Sequence, residues 1–317
     1  MLLIQALLTL LLTGCVALGV STTVEGGLLT LALPAVEPMA HAGPLRVLAT
    51  TSLVGDVVGR VGGAAIDLTT LMGPGQDPHS YQPGAADLSA AADADVIFVN
   101  GWNLEEGLVD DLATIGGAVA PISAGIEPRP LAGEEGNAAD PHVWQSVPNV
   151  YRWVENVRDV LSAADPANAA TYAANAAAYR TELEALEAEV RAQTAAIPAG
   201  RRVLVTNHDT FGYFADAYGF RVLGSVVPGA STLAEPTAAN VAELARAMAA
   251  EGVCSLFIET TVSDQLARTL GQELSDCETV QVLTLYSDAL GLPGSGADSY
   301  AGMMRANVAT LVEALQP

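Results

Sequence analysis

Along the chain, short β-type runs alternate with segments in which apolar residues recur at helical spacing. Strands are predicted over 46–50, 66–72, 96–99, 202–206, 255–258 and 279–285. Helices are predicted over 53–61, 85–92, 149–161, 211–218, 237–250 and 264–274. The run Val96-Ile97-Phe98-Val99 is apolar at every position, as in a strand covered on both faces. Strands alternating with helices imply parallel βαβ units, so the fold class is α/β. The pattern occurs twice, and the two halves are separated by 166–197, a stretch without glycine. There Tyr172, Tyr179, Leu183, Leu186 and Val190 form one apolar stripe on a helix of roughly 30 residues, about 45 Å long. We read it as a rigid strut across two lobes rather than a coiled-coil arm, with the run Glu182 to Glu189 as its solvated face. The expected division is 1–42 export signal and tether, 43–165 first lobe, 166–197 linking helix and 198–317 second lobe.

The amino terminus carries the export signal. Met1 to Thr13 is uncharged and leucine-rich but short of the roughly 20 residues of a membrane span. It runs into Leu12-Thr13-Gly14-Cys15, which resembles a lipoprotein lipobox with Cys15 as the acylated residue, although no Lys or Arg precedes it. A second processing site follows the apolar run Leu28 to Val36, after Ala40-His41-Ala42. Cleavage at either site, or an uncleaved anchor, puts the folded part outside the cytoplasm, lipid-anchored or periplasmic. Charge then narrows the partners. Lys+Arg total 13, all of them Arg, against 36 Asp+Glu, a net charge of −23. Removing 1–42 takes away only Glu25 and Glu37, so the folded part is itself acidic. Nucleic acid and anionic lipid want basic patches and are disfavoured, whereas cations are suitable. In an oxidising compartment Cys254 and Cys277, each just ahead of a predicted strand, are expected to pair; two buried free thiols are the alternative.

Beyond residue 42 the chain has three histidines, all in predicted loops. His79 lies in Asp77-Pro78-His79-Ser80-Tyr81 and His142 in Asp140-Pro141-His142-Val143-Trp144, so Asp-Pro-His occurs twice. His208 follows the strand ending at Thr206, and Asp288 follows the last strand in Tyr286-Ser287-Asp288. Ligands of open parallel sheets bind beyond the carboxyl ends of strands, where three of these four residues fall. Three imidazoles and a carboxylate suit Zn²⁺, and each proline restricts the backbone beside its histidine. Asp77, Asp140, Asp209 and Glu259 are candidates to accept the other imidazole N–H groups. For Asp288 a helix N-cap before Ala289 is the competing role. Trp102 and Trp153 are expected in packing, and Trp144 as a wall of the cleft.

The ordered motifs Gly-Gln-Asp-Pro-His-Ser-Tyr (75–81), Asp-Pro-His-Val-Trp (140–144), His-Asp-Thr-Phe-Gly-Tyr-Phe (208–214), Phe-Ile-Glu-Thr (257–260) and Tyr-Ser-Asp-Ala-Leu-Gly (286–291) resemble the zinc/manganese-binding solute-binding proteins of bacterial ABC importers. The resemblance extends from Leu45 to the C-terminus. It implies two Rossmann-like lobes with parallel sheets, one stiff linking helix, and metal in the cleft between the lobes. It carries the ligand role onto His79, His142, His208 and Asp288. It also implies a monomer that delivers its ion to a permease driven by a cytoplasmic ATPase. Manganese-favouring members tend to present a carboxylate at the third position, where this chain has His208, so zinc is preferred and manganese comes second. Zinc specialists often carry a His-rich loop before the second motif, and Glu127 to Asp140 contains no His. A surface adhesin on the same scaffold is an alternative. A zinc hydrolase with Glu259 as general base is a weaker one, because four protein ligands nearly close a tetrahedral shell and no HExxH or Gly-x-Ser-x-Gly motif is present. The chain is therefore expected not to be an enzyme.

Overall fold

The computed structural model describes residues 22–25, 28–115, 118–131, 138–227, 229–234, 236–263, 265–274 and 277–316. Cys15 lies outside them. A short antiparallel ribbon, β1 (Thr22–Glu25) with β2 (Leu28–Leu31), precedes the first lobe. That lobe is built from β3 (Leu45–Ala49), α1 (Ser52–Gly62), β4 (Ile66–Thr70), α2 (Ala85–Asp93), β5 (Val96–Val99), α3 (Val109–Ile115), β6 (Ala118–Pro121) and α4 (Val147–Ala164). The long helix α5 (Ala169–Ala195) follows. The second lobe contains β7 (Val203–Thr206), α6 (Gly212–Tyr218), β8 (Arg221–Ser225), α7 (Ala238–Glu251), β9 (Ser255–Glu259), α8 (Gln265–Glu273), β10 (Gln281–Leu285) and α9 (Tyr300–Leu315).

Both four-stranded sheets are wholly parallel, ordered β4-β3-β5-β6 and β8-β7-β9-β10. Counted from its own first strand, each sheet has the order 2-1-3-4. The lobes are therefore two copies of one topology, and each has its switch point beside its first strand, where a crevice opens at the carboxyl edge. Helix α1 shows how sequence drives the packing: Leu53, Val54, Val57, Val58 and Val61 repeat at helical spacing and are all buried. Thr51 caps that helix by accepting the Val54 N–H.

Pro166 opens a 3-10 turn over Pro166–Asn168, so α5 begins three residues later than the predicted segment. Its buried stripe is Tyr172, Ala176, Tyr179, Leu183, Leu186, Val190 and Thr194. That stripe packs on α1 and α4 of the first lobe and on α6 and α9 of the second. On its outer face Arg60–Glu182 and Arg180–Glu184 are ion pairs, whereas Glu187, expected in the solvated run, is largely buried beside Arg191 and accepts the Tyr218 O–H at 2.7 Å. In the second lobe β9 and β10 are parallel neighbours with Ser255 opposite Gln281. The residues just ahead of them, Cys254 and Cys277, form a disulfide with Cα atoms 5.7 Å apart. No helix among the described residues is long and apolar enough to cross a membrane.

Candidate metal centre

The two Asp-Pro-His segments fold the same way. Asp77 Oδ1 accepts the His79 N–H at 3.0 Å, and Asp140 Oδ1 accepts the His142 N–H at 3.0 Å. Each is an aspartate turn closed over a proline that has no N–H of its own, and it fixes the backbone that carries the imidazole. His79 sits in the loop after β4, and His142 sits just before a 3-10 turn, Val143–Gln145, that leads into α4. His208 is held at the end of β7: its N–H donates to Glu259 Oε1 at 2.9 Å, and its carbonyl accepts from Thr206 Oγ1 at 2.7 Å. Asp288 follows β10 in a loop. It is not a helix cap, since α9 starts at Tyr300 and is capped by Ser299.

These four side chains come from distant positions and converge. All are buried, His79 at 2% exposure and the other three at 0%. One ligand atom from each lies within 4.8 Å of every other. The imidazoles face one another through Nε2, with His142 Nε2 3.3 Å from His79 Nε2 and 3.4 Å from His208 Nε2. A tetrahedral shell with Zn–N of about 2.05 Å has edges of about 3.3 Å, so both separations are ones that a single ion could span. Asp288 completes the group with Oδ2 3.3 Å from His208 Nε2 and Oδ1 3.7 Å from His142 Nε2.

Behind these side chains stands a second set of carboxylates, one for each imidazole Nδ1. Asp140 Oδ1 lies 2.8 Å from that of His142, Glu259 Oε2 2.7 Å from that of His208, and Glu106 Oε1 3.3 Å from that of His79. Such partners fix the tautomer that leaves Nε2 free to coordinate. Of the four outer carboxylates named from sequence, Asp140 and Glu259 stand on imidazoles. Asp77 holds the His79 backbone instead of its ring, and Asp209 lies close to Arg129 with its N–H bonded to Gly229 O. Glu106 was not legible, because it sits 27 residues from His79 in a loop without a motif.

The charges answer one another. Burial alone would lower the His208 pKa, but Glu259 and Asp288 outweigh it and hold the ring well above its usual value. Burial would raise Asp288, yet His208, His142 and His79 together hold it below the usual carboxylate range. A hydrogen bond with His79 depresses Glu106. The cluster is thus a buried cradle backed by negative charge, which suits a cation. Trp144 is wholly buried, packs edge-on to His142 at 5.3 Å between ring centroids, and donates Nε1–H to Ser287 O at 2.8 Å across the lobes. Trp153 is core, bonded to Ser123 Oγ at 3.0 Å.

Comparison with known proteins agrees with this geometry. Residues 47–314 match the model of the family described as ZnuA, the periplasmic component A of a zinc-uptake complex. The chain belongs to the ZnuA family. It is accordingly the extracytoplasmic substrate-binding component of a metal ABC importer. Among curated relatives it is 35% identical over 277 residues to the manganese-binding lipoprotein MntA of Bacillus subtilis, covering 86% of this chain and 90% of that one. It is 34% identical over 283 residues to the zinc-binding protein TroA of Treponema pallidum, covering 88% and 91%. The solved structure of the latter superimposes with a TM-score of 0.81 at 33% identity, covering 87% of this chain and all of TroA. A manganese-bound periplasmic metal-binding protein from Candidatus Liberibacter asiaticus gives 0.77 at 26% identity, covering 86% and 99%.

Proposed function

We propose that this ZnuA-family protein captures Zn²⁺ through His79, His142, His208 and Asp288 and hands it, as a monomer, to a membrane permease driven by a cytoplasmic ATPase. The observation that carries this reading is the mutual approach of four buried ligand atoms at spacings a single small cation bridges. Zinc is favoured over manganese by the donor set: three imidazole nitrogens with one carboxylate suit Zn²⁺, and Mn²⁺ lies at the weak end of the divalent affinity series. Manganese has one observation in its favour, since both Asp288 oxygens face the imidazoles and a bidentate carboxylate suits a larger ion. Holding rather than turnover is supported by Glu259, which is 3% exposed, accepts the His208 N–H and lies 2.7 Å from its ring rather than facing solvent. The test is titration of His208→Ala with Zn²⁺. It loses tight binding while keeping the wild-type circular dichroism spectrum; unchanged affinity refutes the ligand assignment.

The chain ahead of β3 bears on the anchoring. Leu33, Val36 and Met39 pack against the main core, Met39 N–H donates to Ala164 O at 2.8 Å, and His41 Nε2 lies 3.7 Å from Asp165. Cleavage after Ala42 would strip away all of these contacts. Processing further upstream would keep these contacts, which supports acylation at Cys15 as the membrane anchor.

A further inference from the structure

Each imidazole of the centre leans on a carboxylate, and the two carboxylates that hold His79 are themselves gripped from the opposite lobe. Asp77 accepts the His79 backbone N–H through Oδ1, while its Oδ2 accepts Ser80 Oγ at 2.7 Å and Thr232 Oγ1 at 2.6 Å. Glu106 contacts the ring Nδ1 of His79, and the Ser231 hydroxyl lies near enough to help stabilise its carboxylate. Ser231 and Thr232 are adjacent residues of the segment between β8 and α7, in the second lobe. Their local shape is fixed by Ser231 Oγ, which accepts the Leu233 N–H at 3.2 Å. Both handles on His79, main chain and ring, thus end on one dipeptide across the cleft.

We propose that Ser231 and Thr232 form an interlobe latch that positions His79 through Asp77 and Glu106 and thereby sets how fast bound metal leaves. This rests on the reading of His79 as a ligand. His79 is the member of the set carried by a long loop rather than a strand end or a pre-helical turn, so its placement depends most on outside support. Hydroxyl-to-carboxylate bonds are charge-assisted and stronger than neutral ones, and here each must break for the lobes to part at this edge. While the latch holds, the His79 ring is kept on the ion. Once it opens, ring and backbone lose their orientation together and dissociation begins at this ligand. Ser231 and Thr232 touch no metal themselves; they are positioning residues.

The experiment uses the mature protein loaded with one equivalent of Zn²⁺ and mixed in stopped flow with excess chromogenic chelator. Thr232→Val removes the hydroxyl and keeps the shape; zinc leaves about tenfold faster, the cost of one charge-assisted bond. Ser231→Ala shifts the rate in the same direction. Thr232→Ser restores the rate to within twofold of wild type, which a loss of packing would not allow. Leu233→Ser, at the exposed next position, leaves the rate unchanged. The latch is overturned if Thr232→Val and Ser231→Ala release zinc at the wild-type rate, or if Leu233→Ser accelerates release as much as they do. A wild-type protein that takes up no zinc would instead refute the ligand set, a separate outcome. Melting curves without metal verify that each variant is folded.

Discussion

Glu259→Gln isolates what a carboxylate behind the ligands contributes. In the wild type both oxygens face His208: Oε1 accepts its backbone N–H at 2.9 Å, and Oε2 lies 2.7 Å from its ring Nδ1. When Nε2 coordinates an ion, Nδ1 carries the proton, so a backbone N–H and a ring N–H both lie against one carboxylate. Glutamine has the same size but only one acceptor oxygen, and its amide NH₂ must face the other donor. Either the backbone bond is lost, or the ring takes the other tautomer and puts its proton on the coordinating nitrogen. With Glu259 at 3% exposure, water offers little relief. Loss of such an orienting partner lowers metal affinity about 10- to 100-fold, about 1.4–2.7 kcal/mol. Competition titration against a chelator of known affinity measures it, with the melting temperature of the metal-free variant as the folding control. An affinity within twofold of wild type would refute the claim that Glu259 orients His208.

Other expectations follow from the same geometry. Because the ligating imidazoles must be neutral and His208 is held well above its ordinary pKa, affinity rises with pH and falls between pH 7 and 5, by about tenfold per unit for each proton displaced. The rise in melting temperature caused by zinc therefore shrinks over that range, and a constant rise would contradict a histidine centre. Replacing Cys254 and Cys277 by serine opens a loop with a sequence separation of 23 and costs about 3 kcal/mol in denaturant unfolding. Zinc affinity stays unchanged, because the bridge lies at the end of β9 opposite Glu259; a large loss of affinity would show that the two ends are coupled. A chain starting at Gly43 is less stable by about 3–4 kcal/mol than one starting at Leu28, since Leu33, Val36 and Met39 no longer cover the core. Equal stability would remove the support for retention of that segment.

Much of the architecture could be read from the residues. The βαβ alternation gave two parallel α/β lobes, and the glycine-free stripe from Tyr172 to Val190 gave the strut. Elements with weak patterns were missed. β6 is Ala118-Val119-Ala120-Pro121 and carries little β-forming side chain, β8 is interrupted by Gly224, and α9 mixes Gly302 and Asn307 into its apolar face. The three histidines and Asp288 were legible because two of them sit in repeated Asp-Pro-His loops and two just after strands. The cleft-facing Trp144 was legible from its place beside His142. The supporting carboxylates were half legible. Asp140 lies in the same tripeptide as its histidine and Glu259 ends a strand beside β7, whereas Glu106 reaches His79 only through the tertiary fold. Asp77 looked equivalent to Asp140 in sequence, yet its free oxygen turns toward Thr232. Identical tripeptides gave the same aspartate-to-histidine N–H bond, and their different neighbours gave different partners for the rings.

The central claim is that one ion is shared by side chains from both lobes. X-ray absorption at the zinc edge on protein loaded with a single equivalent tests it most directly. One zinc per chain is expected, with three imidazole nitrogens at about 2.0–2.1 Å, one carboxylate, and no sulfur. A shell with fewer than three imidazoles, or one containing sulfur, would contradict it.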